Sequence, residues 1–366
     1  MTTRPGIVAI AAGLFFAAAH PSAADPPEWK LTGRPLPQRE FLQPALDKDL
    51  PSYHASLIEG HLEGSAPTIL PQLVRGWLEA LRAREPKLRV DVPPPYEEPQ
   101  AAGSERLRMF LRGKADFAFL TRDLSAADVA TFRGAHGHDP LSIPVAGGSY
   151  RHFGFVDTVA VIVNADNPLK GLTLAQLDAI LSSTRHRGAG RTATTWGDVG
   201  LPEWADKPIH VVGHGAWAGE ETARATFIRR RVMDLGAMRG EWRDFGPRDG
   251  GDAIVSEQVA ADRYAIGFTG MGHLLAGTRT VALARDERGP FQEASYENVA
   301  RADYPLSRVL YLIVAKRPGK PLPPALEALA RFLLSREGQR VVLEQGVFLP
   351  LRASQAADSM RLLETR

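Results

Sequence analysis

Apolar residues at Leu70, Leu73, Val74, Trp77, Leu78 and Leu81 fall three or four apart, a spacing that predicts a helix with one buried face. Ahead of it, Gly64-Ser65-Ala66-Pro67-Thr68 supplies the small and hydroxyl residues that open helices. Leu88 to Val92 predicts a strand, and Ser104 precedes a helix carrying Leu107, Phe110 and Leu111. The strand Ala115 to Leu120 follows, with Thr121-Arg122 at its carboxyl end. Further strands are predicted at Thr158 to Asn164, Ile209 to Val212, Tyr264 to Phe268 and Val309 to Val314. Helices are predicted at Thr173 to Leu181, Glu221 to Val232, Ala253 to Ala261, Pro324 to Leu334 and Glu337 to Glu344. Strands alternating with helices, and ending in small or hydroxyl residues, predict an α/β architecture with parallel sheets.

The first residues carry a different pattern. Arg4 precedes an apolar run from Ile7 to Ala19, followed by Pro21, Ser22, Ala23 and Ala24. The run is shorter than the roughly 20 residues needed to cross a bilayer, so residues 1–24 are expected to form a cleavable signal peptide and the mature chain to begin at Asp25 in the periplasm. Residues 25–56, rich in proline and charge, read as an extended strap.

Composition narrows the chemistry. A chain of 366 residues, 44% hydrophobic, is long enough for two domains. With 44 basic against 42 acidic side chains there is no basic block for a nucleic-acid partner. The absence of cysteine excludes disulfides, thiol nucleophiles, lipoprotein anchoring and cysteine-held metals.

Gly213-x-Gly215-x-x-Ala218 follows one predicted strand and opens a predicted helix, as a dinucleotide fingerprint does. Such a site needs an acidic residue at the end of a second strand, whereas Asp234 falls at the end of a helix. What survives is a helix N-terminus suited to an anion. Besides His136-Gly-His138, the pair His210 and His214 lies on a strand and the turn after it, where no helical face would present it to a metal. No nucleophile elbow or metalloprotease signature occurs, so neither enzyme nor cofactor is expected. Asp157, at the entry to an apolar strand, fits a strand-end cap, a hinge or a ligand residue.

The ordered segments then form a pattern: Gly64-Ser65, Ala115-Asp116-Phe117 with Thr121-Arg122, Val159 to Asn164 with Asn167-Pro168-Leu169, Thr195-Trp196-Gly197-Asp198, Ala265-Ile266-Gly267-Phe268, Tyr304-Pro305-Leu306-Ser307-Arg308, and Phe332 to Ser335 before Gly338-Gln339. Over about residues 57 to 350 this succession resembles the phosphate-binding proteins of bacterial ABC-type phosphate importers. The resemblance implies an α/β, two-lobed type II periplasmic binding protein fold with two crossover strands, around Asp157 to Asn164 and Tyr304 to Leu312. Lobe 1 would comprise 57–157 plus 305–366, and lobe 2 would comprise 158–304. It also implies a monomer that binds phosphate or a related small oxyanion in the interlobe cleft and delivers it to an ABC-importer membrane permease. The positions matching the family's anion site are Ser65, Ala66, Thr68, Ser104, Thr121 and Arg122, with His214, Ala218, Gly219 and Glu220 in the turn from Gly213 to Thr222.

The departures fall in that turn. Where the family reads Gly-Arg and then Ser-Gly-Thr, this chain has Gly213-His214 and Ala218-Gly219-Glu220. A permanent cation and two hydroxyl donors are lost and a carboxylate is gained, although Arg224 lies just downstream. Thr121 stands where some members carry an aspartate that accepts the phosphate proton. Two readings follow: a phosphate receptor with an altered site, or a diverged exported sensing, interaction or accessory protein.

Overall fold

The computed structural model describes residues 45–67, 69–92, 107–152, 156–213, 216–217, 220–221, 223–245 and 252–364. The strands in chain order are β1 (Gly60–Ser65), β2 (Leu88–Asp91), β3 (Phe117–Leu120), β4 (Leu141–Gly147), β5 (Val159–Asn164), β6 (Gly171–Thr173) and β7 (His210–Val212). They continue with β8 (Ala216–Trp217), β9 (Glu220–Glu221), β10 (Ala265–Gly270), β11 (Thr278–Thr280), β12 (Ala282–Ala284) and β13 (Val309–Val314). The helices used below are α1 (Pro71–Arg82), α2 (Ala126–His136), α3 (Leu174–Leu181), α4 (Ala223–Ile228), α5 (Asp252–Ala261), α6 (Tyr296–Ala300), α7 (Pro324–Leu334), α8 (Arg336–Gln345) and α9 (Ala353–Glu364).

Two sheets organise the molecule, in the orders β2-β1-β3-β13-β4 and β11-β5-β10-β7. The expectation of parallel sheets is corrected: β1 runs parallel to β2 and β3, but β13 is antiparallel to both β3 and β4, and β5 is antiparallel to β10 and β11. The cause is topological. Strand β13 arrives from the second sheet and enters the first between strands laid down much earlier. Each sheet has its own core, the first around Trp77, Phe117, Phe119 and Phe332, the second around Ile162, Trp196, Ile266 and Tyr304. Trp77 is fully buried, stacks on Phe119 and donates its Nε1 hydrogen to the Gly338 carbonyl at 2.9 Å, so α1 is held to both α8 and the sheet.

The chain passes from the first sheet to the second through residues 148–158 and returns through residues 301–308. These passages touch, the Gly148 N–H donating to the Arg308 carbonyl at 2.7 Å, and the first is closed on itself by the Ser149 N–H on the Val156 carbonyl at 3.1 Å. The crossing therefore precedes β5 and β13, each of which lies wholly within one sheet.

Close approach fixes the glycine at Gly64. A Cβ there would lie 2.1 Å from Cζ of the fully buried Phe117 ring on β3. Gly64→Ala is expected to destabilise the protein by about 1–3 kcal/mol through overpacking, read as a lower urea midpoint.

The strap is described from residue 45. Its far end is docked through Glu85, which is fully buried and accepts from Tyr53 Oη (2.8 Å), the Ser56 N–H (2.7 Å) and the Ile58 N–H (2.9 Å). The Tyr53 N–H donates to Glu337 at 2.8 Å, and Asp47 accepts the Ala353 N–H at 2.9 Å.

Candidate anion-binding site between the two sheets

Strand β1 ends at Ser65 and pairs in parallel with β3, Ser65 opposite Ala118, so Thr121 follows at the same carboxyl edge, three residues beyond the partner of Ser65. Ser65 and Ala66 are buried there. The helix that follows does not open on these residues. It begins at Pro71, with Leu70 at the N-cap and no side-chain capping bond, because the chain first makes a turn closed by the Leu70 N–H on the Pro67 carbonyl. Proline, whose missing N–H costs nothing at the first helical position, starts α1 in place of the hydroxyl cap expected.

The turn after β7 is also corrected. Gly213 is left-handed, with φ of 78°, but residues 216–217 then pair antiparallel with 220–221 as β8 and β9, so Glu220-Glu221 belongs to a small hairpin and α4 begins only at Ala223. After six residues α4 widens into a π-helical turn, Arg229–Met233. That insertion carries three consecutive arginines. Arg229 turns inward and pairs with Asp234 at 2.7 Å, whereas Arg230 and Arg231 reach the first sheet's edge.

The result is a cluster of guanidiniums where the sheets meet. Arg231 Nη2 lies 3.2 Å from Asp123 Oδ2 and 3.1 Å from Tyr311 Oη, and Tyr311 in turn donates to Asp123 Oδ1 at 2.7 Å. Arg230 Nη1 donates to the Asp123 carbonyl at 2.5 Å. Arg224 Nη2 faces Asp157 Oδ1 at 3.4 Å, with side chains only 14% and 3% exposed, and the other Asp157 oxygen accepts the Gly272 N–H at 3.1 Å. Arg308 Nη2 donates to the Thr121 carbonyl at 3.3 Å. Arg122 is committed locally, to Asp128 at 2.7 Å and to the Asp123 carbonyl. Asp128 itself forms a reciprocal cap with Ser125 at the start of α2.

The charges do not balance. Arg122, Arg224, Arg230, Arg231 and Arg308 stand against Asp123, Asp128 and Asp157, leaving two positive charges uncompensated among the described residues. Burial, and then the repulsion of Arg224, push the Arg308 guanidinium down to about 10, so it stays charged at neutral pH but at an electrostatic cost. Arg224 is lowered by burial, partly offset by Asp157, and Arg230 by burial and then by Arg122. Burial, and then Asp123, raise Tyr311, which keeps its proton for Asp123. A dianion placed among these groups would neutralise the excess.

Residues 55–337 match the profile of the PBP superfamily domain. The chain is also 33% identical over 322 residues to the phosphate-binding protein PstS of Pseudomonas aeruginosa, covering 87% of this chain and 92% of that one. This chain belongs to the PBP superfamily. A more distant relative is the protein SphX of Synechococcus elongatus, 25% identical over 249 residues, 67% of this chain and 66% of that protein. Among solved structures, PstS from Borrelia burgdorferi superposes with a TM-score of 0.52 at 15% identity, over 80% of this chain and all of that one, a likeness of fold.

Of the residues this PBP-superfamily chain was expected to use, the structure brings Ser65, Ala66, Thr121 and Arg122 to one edge of the first sheet, with Arg122 already paired. Thr68, Ser104, His214, Ala218 and Gly219 lie outside the described residues, as does the side chain of Glu220. The sequence reading gave no role to Arg230, Arg231 or Arg308. Their signal was present as arginines set within apolar runs, Phe227-Ile228 to Val232-Met233 and Leu306 to Val314. An arginine so placed must find a counter-charge or an anion.

Among the described residues no group of histidine and carboxylate side chains could hold a metal, and no helix is long and apolar enough to cross a membrane. A surface groove of about 540 Å³ near α3 is a poorer candidate, because Arg191 on its wall is paired with Asp198 and Arg187 with the Arg231 and Val232 carbonyls.

Proposed function

We propose that this chain is an exported receptor that binds phosphate between its two lobes and hands it to an ABC-type importer. The observation that carries the reading is the excess of guanidinium over carboxylate, among the described residues, just past the carboxyl end of β3, where arginines from the second lobe reach the Asp123 loop and Arg308 reaches the Thr121 carbonyl. The relative in Pseudomonas aeruginosa, matched over 92% of its length, bears the name of a phosphate-binding protein, which supports receptor over accessory protein. In this reading the lobes divide near residues 157 and 304, a division that the two passages between the sheets support. The receptor is a monomer, it is exported by removal of residues 1–24, and it turns over no phosphate ester.

Thermal unfolding of the full mature chain tests the reading. A ligand at 1,000 times its dissociation constant adds about 4 kcal/mol. Inorganic phosphate is therefore expected to raise the melting temperature progressively, beyond the effect of chloride at equal ionic strength. A melting curve indifferent to millimolar phosphate would defeat the proposal.

A further inference from the structure

We propose that Arg308, on the passage that returns the chain to the first sheet, is a direct anion ligand and supplies the permanent cation missing from the Gly213 turn. The inference rests on the receptor reading above and names a residue for that same site.

Four observations converge. Through Nη2, Arg308 is hydrogen-bonded to the Thr121 carbonyl at 3.3 Å, which fixes its guanidinium just past the carboxyl end of β3, the edge at which β1 also ends. Its buried Nε hydrogen has no acceptor among the described residues. No carboxylate among the described residues lies within ion-pair distance of it, because Asp157 is engaged by Arg224 and the Gly272 N–H, and Asp123 by Arg231 and Tyr311. Finally, the Phe227 ring lies 5.1 Å from the Arg308 carbon Cζ and 5.6 Å from that of Arg231, so one aromatic surface steadies two guanidiniums without neutralising either.

A buried guanidinium with an unused N–H and no carboxylate partner is costly unless an acceptor completes it. An oxyanion does so well, because Nε and a terminal nitrogen offer two parallel donors to two oxygens of a tetrahedral anion. The backbone of Arg308 is held by the Gly148 N–H at 2.7 Å, so the side chain projects from a pinned base. Arg224, held by Asp157, is a positioning neighbour whose repulsion is relieved when the anion enters.

Calorimetry with inorganic phosphate and with sulfate, at neutral pH and fixed ionic strength, tests this on the full mature chain. Arg308→Gln is expected to lose roughly 10- to 150-fold in affinity for phosphate. Arg308→Lys, which keeps the charge but not the fork, is expected to fall between that variant and the parent. Arg301→Gln, an exposed change of equal charge, should bind as the parent does. A folded Arg308→Gln protein with parental affinity overturns the proposal and leaves the receptor reading standing. A parent protein that binds neither anion overturns both. The Nε–H resonance of Arg308 in the unmodified protein gives a readout independent of any variant's folding. It should shift on phosphate saturation, and a static signal while neighbouring amides move counts against the assignment.

Discussion

Asp157→Asn is expected to cost about 3–5 kcal/mol of folding stability, the range for stranding one partner of a buried ion pair. The carboxylate is almost completely buried and is engaged on both oxygens, by Arg224 and by the Gly272 N–H. Space has been cleared for it: a Cβ on Gly270 would lie 2.0 Å from Asp157 Oδ2. Removing its charge leaves Arg224 and Arg308 facing each other with one counter-charge fewer. Urea denaturation of the purified variant measures the loss. Phosphate should restore more stability to the variant than to the parent, since the anion then supplies charge that the carboxylate no longer does. A loss below about 1 kcal/mol would mean that Asp157 is an ordinary strand-end cap.

Glu85→Ala carries the second large effect. Three donors converge on this carboxylate, Tyr53 Oη and the Ser56 and Ile58 N–H groups, and truncation strands all of them at once. Hydrogen bonds to a charged group are worth about 1.5–3 kcal/mol each and are not additive, so a total near 3–5 kcal/mol is expected. The loss should be local before it is global. Limited proteolysis is expected to cut the variant between residues 45 and 58 under conditions that leave the parent intact. Glu85→Gln should be intermediate, because one amide oxygen still accepts while the NH₂ confronts donors. Equal resistance of parent and Glu85→Ala to the protease would show that the strap is held elsewhere.

Elements whose sequence and environment agree were readable in advance. Val309–Val314, six apolar residues in a central strand, and Pro324–Leu334, which opens on proline and keeps helical spacing, have the expected bounds. Thr173 opens α3 with a reciprocal cap to Gln176. By contrast β1, reading Gly-His-Leu-Glu-Gly-Ser, has too little apolar content to announce a strand and is one because β2 and β3 flank it. Strand β4 carries Pro144 and α2 buries only Phe132, so neither shows a clear period. The Gly213 turn was misjudged because two two-residue strands leave no periodic trace. The same limit hid the arginine cluster. Residues 121–123, 224–231 and 308 each look like a strand end or a helix face, and their shared charge exists only once two sheets meet.

The place of β13 in the first sheet sets a timetable for synthesis. It lies between β3 and β4, so β3 is paired on its β1 side alone and β4 has no neighbouring strand until residue 314 has left the ribosome, almost two hundred residues after β3 was made. The strands β5, β7, β10 and β11 are all complete before then. The second sheet can therefore mature while the first waits with an open slot, a pairing of long sequence separation that slows closure. In that interval the bare edges of β3 and β4 are a hazard for pairing with a neighbouring chain. A truncation anywhere before Val309 should therefore yield an insoluble product even though most of the chain is present.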